Sequence, residues 1–239
     1  MRAKGVLHDA RLPDAYKKCL RDIFPHSVLI PFSPLDTEVY GSISCHPDIY
    51  FFQVDADTLL YSPGIPVNII EELTLLGIKM IPGERSPGKK YPFTALYNAA
   101  RVGDRVFLNT GCADLSVMKA IKDRGLIAEH VSQGYSRCSV FRAGEEAFIT
   151  SDASLAAAGR RSGLDVLEIT PGHIELPGER YGFIGGTGGM SPGGEIVMLG
   201  DPESHPDGEA INAFIARHSK GYERMKDLPL YDAGTLLIF

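Results

Sequence analysis

The chain has 239 residues, 44% hydrophobic and 23% charged, with a formal net charge of −6 and a pI near 5.6. That length carries one large core or two small ones, and an acidic balance without a basic stripe gives nucleic acid or an anionic membrane no electrostatic footprint. No apolar run reaches the ~18–20 residues of a transmembrane helix, the opening stretch lacks the apolar segment of a signal peptide, and Cys19, Cys45, Cys112 and Cys138 form no C-x-x-C pair, so a cytoplasmic protein with reduced thiols is expected.

In chain order, "AKGVLHD" predicts a strand over 3–9, "PDAYKKCLRDIF" a helix over 13–24 and "SVLIPF" a strand over 27–32. A loose stretch, 32–44, follows. From there one pattern recurs. Strands over 49–54 and 58–63 flank an Asp-Ala-Asp turn, then come a helix over 67–77 and a strand over 78–83. The second copy has strands over 94–101 and 105–110, a helix over 113–125 and a strand over 126–131. The third has strands over 137–142 and 146–151, a helix over 153–163 and a strand over 164–170. The fourth has strands over 181–190 and 195–200, a helix over 207–221 and a weak strand near 223–229. The last residues, 230–239, supply strand material only.

The local physics is consistent. Two β-rich runs around Gly or Asp make a hairpin. Ile69, Ile70, Leu73 and Leu76 recur at helical spacing and bury one face. Gly77, Gly125, Gly163 and Gly221 stand where a helix end needs a left-handed residue, and Asp114, Ser154 and Asp207 suit N-cap positions. The helix-ending glycines are 48, 38 and 58 residues apart, and 239 residues over five units is about 48 each. Repeats of that period imply a radial or stacked array. The terminal segments together make a fifth β-β-α-β unit, and a split unit closes a ring and removes exposed sheet edges.

A five-unit ring of this kind resembles the pentein, or guanidino-group-modifying enzyme, superfamily: arginine deiminases, amidinotransferases and dimethylarginine hydrolases, with a non-catalytic ribosome anti-association branch. "HPDIYFF", "GYSRCSVF", "TSD" and "GFIGGTGG" are similar to an uncharacterised bacterial family assigned to that fold. The expectation is a single-domain α/β propeller with blades over 45–90, 91–133, 134–178, 179–229, and 230–239 joined to 1–35.

In such a ring the start of each first strand faces a shared cavity. That gathers His46 and Asp48 from blade one, Asn98 from blade two, Cys138 from blade three and Gly185, Gly186 and Thr187 from blade four. A thiolate is a nucleophile, and a nearby imidazole activates it and moves protons. Cys138 is therefore the candidate nucleophile, His46 the acid/base and Asp48 the orienting carboxylate. Arg137 is a candidate for holding a carboxylate, and Asn98 and Gly185–Thr187 for lining the pocket. The resemblance implies an "RC" element, here Arg137-Cys138, and a histidine two blades earlier; His46 lies 92 residues before Cys138. It also implies a clamping acid in blade four, where "GFIGGTGG" carries none.

Each residue has a plainer reading. A lone Cys at the head of an apolar run is usually a buried small hydrophobe. His-Pro-Asp recurs at 205–207, where it starts a helix. "GFIGGTGG" leads into a turn and not a helix, which speaks against a phosphate loop; bare backbone there marks either a close approach or a kink. Zinc held by Cys45, His46, Asp48 and Cys138 is awkward, because adjacent strand residues face opposite sides. Asp152 reads as a helix cap. Two functions are expected on these grounds: a cysteine-dependent hydrolase or transferase on a small amidine-like or carbonyl substrate, without a cofactor, or a non-catalytic module binding a small ligand or a protein face.

Overall fold

The computed structural model describes Met1 and residues 3–239. Five three-stranded sheets follow one plan: a first strand antiparallel to a second, a crossover helix, and a third strand parallel to the second. In the first complete unit these are β3 (Phe51–Asp55), β4 (Thr58–Tyr61), α3 (Val67–Leu75) and β5 (Lys79–Pro82). The next has β6 (Ala100–Val102), β7 (Arg105–Leu108), α4 (Leu115–Asp123) and β8 (Ile127–His130). It is followed by β9 (Phe141–Arg142), β10 (Ala147–Thr150), α6 (Ala153–Arg161) and β11 (Asp165–Glu168). Then come β12 (Gly188–Met190), β13 (Glu195–Met198), α7 (Gly208–His218) and β14 (Gly221–Arg224).

The fifth sheet is built from both chain ends. β15 (Leu237–Ile238) pairs antiparallel with β1 (Gly5–Asp9), and β1 pairs parallel with β2 (Val28–Phe32) after α1 (Asp14–Ile23). Each helix lays its apolar stripe on its own sheet; Leu73 in α3, Val117 in α4, Leu155 in α6 and Ile211 in α7 are all fully buried. The five edge strands β3, β6, β9, β12 and β15 converge: residues from every one of them line a single cavity of about 310 Å3.

The first strands are shorter than the periodicity predicts, and for one reason. The residues ahead of them coil into tight helical turns: α2 (Pro47–Tyr50) before β3, a 3-10 turn (Phe93–Ala95) before β6, α5 (Ser136–Ser139) before β9 and a 3-10 turn (Ile184–Gly186) before β12. Cys138 thus sits in a helical turn and not at the head of a strand. The expected strand over 230–239 reduces to Leu237–Ile238, because 232–235 is a loop folded inward.

The helix-end readings also sort out. Gly77, Gly125 and Gly163 take positive φ of 82°, 65° and 80° and close their helices. Gly221 does not; α7 ends on extended Ser219 and Gly221 opens β14. Asp114 caps α4 through Ser116 N. The cap of α6 is Asp152, two residues before Ser154, and it accepts from the Ser154 and Leu155 amides. Asp207 occupies the N-cap position of α7, but its carboxylate accepts from Thr170 N instead. No described helix is long and apolar enough to cross a membrane.

Candidate functional site

Pro47 at the first position of α2 sets a tight turn that carries Asp48 inward, and its backbone is completely buried with it. Cys138 reaches the same place from α5. Its Sγ–H donates to Asp48 Oδ2 at 3.2 Å, and Asn98 Nδ2 donates to the sulfur at 3.0 Å. Asn98 also donates to the Asp48 carbonyl at 3.0 Å, and its Oδ1 accepts from the Arg137 and Cys138 amides at 2.7 and 3.2 Å. One amide side chain therefore welds α2 to α5 and satisfies two amides at the start of a four-residue helix.

His46 stands between two carboxylates. Its Nε2 is 3.8 Å from Asp9 Oδ2 and its Nδ1 is 3.8 Å from Asp232 Oδ1. Asp9 is committed to Arg11, which binds both of its oxygens. Asp232 accepts from the amides of Phe183 and Gly234 at 2.8 and 3.0 Å. The inward loop 232–235 supplies the rest. Gly234 presents its carbonyl to Asp48 N at 3.1 Å. Thr235 Oγ1 donates toward Gly185 O at 2.9 Å and lies 3.3 Å from Asp48 Oδ2. Gly234 has φ +65° and its Cα abuts the His46 ring, so no side chain fits there.

The glycines of "GFIGGTGG" are bare because neighbours come close. A Cβ on Gly186 would enter the Asp232 carboxylate, and one on Gly185 would enter the backbone of Arg137 and Cys138. Thr187 turns back to bond Ile184 O and does not line the cavity.

Burial sets the protonation states. It pushes the Asp48 carboxyl up to about 6, with the Cys138, Arg137 and Thr235 contacts opposing it. Burial, then the charges of Asp48 and Asp232, hold the Cys138 thiol well above its usual range. Burial lowers His46 despite Asp232 and Asp9, and raises Asp232 despite His46. These directions favour the neutral thiol at Cys138 and the neutral imidazole at His46. His46 Nδ1 and Asp48 Oδ1 are buried and have no hydrogen-bond partner among the described residues.

His46, Cys138 and Asp232 line one open cavity of about 380 Å3, with Tyr40, Tyr135, Tyr181 and Phe183 and the charged Glu179 and Arg180. Of the sequence candidates, His46 and Cys138 line this cavity, Asp48 and Asn98 are hydrogen-bonded to Cys138 without lining it, and Gly185 and Gly186 line neither cavity. Arg137 does not line it: its guanidinium donates to Val140 O and Gly185 O, and it lines the other cavity, at the edge strands. Cys45 turns away to Ser33. Asp9 and Asp232 were missed. Asp232 stands three residues before an inward-facing Thr in "YDAGT", and a polar Asp-Ala-Gly-Thr inside expected strand material is the signal that could have found it.

Five β-β-α-β units of this plan give an α/β fold of the pentein type, like that of the solved structures the chain resembles. A DDAH from Pseudomonas aeruginosa, a cysteine-to-serine mutant complexed with citrulline, matches with a TM-score of 0.58 at 12% identity, over 100% of both chains. A dimethylarginine dimethylaminohydrolase histidine-to-glycine mutant, as an adduct with S-methyl-L-thiocitrulline, matches with a TM-score of 0.56 at 12% identity, again over 100% of both. No curated protein matches the sequence. The chain belongs to a family of unknown function, DUF6873, whose model matches residues 8–237.

Proposed function

We propose that this protein is a cysteine-dependent hydrolase or transferase acting on a small cationic amidine- or guanidine-type substrate. The observation that carries the reading is the shared cavity: Cys138, His46, whose buried Nδ1 has no partner among the described residues, and Asp232 line one open cavity. Buried polar atoms without partners are rare, and a ligand in this cavity would supply a partner for His46 Nδ1. Asp232 supplies the acid that blade four lacks in sequence. A planar cation between that carboxylate and the aromatic walls gains charge pairing and cation–π contact together. The fold relatives, seen with citrulline and with S-methyl-L-thiocitrulline, make ureido and amidino carbon centres the natural class to test. We further propose that the five units close into a ring, supported by the β15–β1 pairing and by the one cavity shared by all five edge strands.

The chemistry follows from the contacts. As Sγ bonds to the amidine carbon, the thiol proton passes to Asp48 and the C=N pair moves onto nitrogen. The nitrogen pair then re-forms C=N as the C–N bond to the departing amine breaks, the amine taking the proton from Asp48 by way of His46, and water or an acceptor next bonds to the carbon as it gives a proton to His46. The C–S bond breaks last, and sulfur keeps the pair and regains a proton.

A matched pair of thiol reagents tests this: a haloacetamidine, which is cationic, against the neutral haloacetamide. The amidine is expected to label Cys138 at least tenfold faster, and Asp232→Asn to remove that preference. Release of amine from a guanidino compound panel is expected to vanish in Cys138→Ser. Equal labelling by both reagents, no faster than a free cysteine, together with no turnover, overturns the enzymatic reading in favour of a binding module.

A further inference from the structure

The second cavity, at the edge strands, has a character of its own. Arg101 of β6, Arg137 of α5 and Arg142 of β9 all line it, with Gln53, Asp55, Glu145 and Ser191. The carboxylates are already engaged: Asp55 pairs with Arg124, and Glu145 bonds Arg142 Nη2 at 2.6 Å. Arg101 and Arg137 have no carboxylate within ion-pair distance among the described residues. Arg101 donates to the carbonyls of Gly103 and Val54, and Arg137 to those of Val140 and Gly185. Those contacts use Nε and Nη1 of Arg101 and Nη1 of Arg137, and leave both Nη2 groups without a protein acceptor. A guanidinium carries five N–H donors in a flat fork that suits carboxylate and phosphate oxygens.

Two partly buried cations without an ion pair, beside a third that is only singly paired, are costly unless an anion joins them. The lining charge is three arginines against two carboxylates, with Arg124 adding a further positive charge from outside. We propose that this cavity is an oxyanion-binding site, taking a carboxylate or phosphate group between Arg101 and Arg137. It lies apart from the thiol cavity, whose walls include none of the three arginines. Arg137 precedes Cys138 in α5, and its charge acts on Asp48. An anion bound there opposes that charge, so the two cavities are coupled.

The test uses the full chain with inorganic phosphate in one arm and acetate in the other, at constant ionic strength made up with chloride. Binding is read by isothermal titration and by the shift in melting temperature. Saturable binding by one of the two anions is expected and identifies the source of the oxyanion. It is expected to persist after Cys138, in the wall of the other cavity, has been alkylated. Arg101→Gln is expected to weaken it at least tenfold. Gln53→Glu gives up the Gln53 Nε2 bond to Ile238 O but leaves every arginine contact in place and supplies an internal carboxylate; with the melting temperature confirming that it folds, it is expected to abolish binding. The bound anion is also expected to change the Cys138 alkylation rate in the parent protein and not in Gln53→Glu. No saturable binding by either anion, binding lost on Cys138 alkylation, or binding untouched by Gln53→Glu overturns the site; binding with an unchanged alkylation rate overturns the coupling.

Discussion

The Asp232 carboxylate occupies the space in which a Cβ on Gly186 would stand. Two amides hold it there, Phe183 N and Gly234 N, so it cannot swing aside without leaving buried donors unpaired. Gly186→Ala is therefore expected to destabilise the fold by about 1–3 kcal/mol, the usual cost of overpacking, and to displace Asp232 from His46. In Asp232→Ala the same substitution is expected to cost much less. A double-mutant cycle from denaturant unfolding checks this; additive losses would refute the contact.

Asp48 and His46 pull stability in opposite directions with pH. The Asp48 carboxyl is raised to about 6, above its unfolded value, so the native state is penalised above pH 6 and the penalty fades as pH falls toward ~4. Asp232 acts in the same sense. The full Asp48 penalty is on the order of 3 kcal/mol. Asp48→Asn is expected to raise stability near pH 8 by up to that amount and to remove the gain the parent makes as pH falls toward ~4, which steepens the net acid decline. Melting temperature against pH measures it, and an unchanged profile would contradict the assignment.

His46 is lowered by burial, so its contribution is present above the unfolded value near 6.5 and is lost as pH falls below it. His46→Gln is expected to remove that loss. The same melting series read between pH 5 and 7 (a window set by the unfolded imidazole) shows it as a shallower acid decline.

The Cys138 thiol sits 3% exposed on a carboxylate, and that negative charge opposes ionisation. Alkylation by a neutral reagent at pH 7 is expected to be slower than for a free cysteine. Asp48→Asn is expected to speed it several-fold by removing the charge, while abolishing any turnover that needs Asp48 as proton acceptor. Mass mapping of the labelled peptide separates Cys138 from the more exposed Cys19.

Asn98 serves four partners at once. Asn98→Ala leaves the Arg137 and Cys138 amides and the Asp48 carbonyl unserved, at ~1–3 kcal/mol for each buried orphan. A loss of several kcal/mol in urea unfolding is expected, with Asn98→Asp nearly as damaging because it cannot donate to Sγ. A loss under 1 kcal/mol would mean water replaces the amide.

Much of this protein was legible in one dimension. The β-rich runs of Phe51–Asp55 and Thr58–Tyr61 around a turn, the stripe of Ile69 and Leu73, and the glycines at 77, 125 and 163 are local signals, set by residue propensity, by the helical period or by the φ one residue needs. Their recurrence gave five units, and Cys138, His46, Asp48 and Asn98 fell at equivalent places in three of them. The tertiary structure decided what no window of sequence holds. It turned the residues ahead of each first strand into helical turns, bent 232–235 inward so that Asp232 meets a glycine 46 positions earlier, and sent Arg137 to the opposite cavity from its neighbour Cys138. Local propensity fixes which elements form; which charged groups share a buried volume depends on packing between segments far apart in the chain, where desolvation and close approach are settled together.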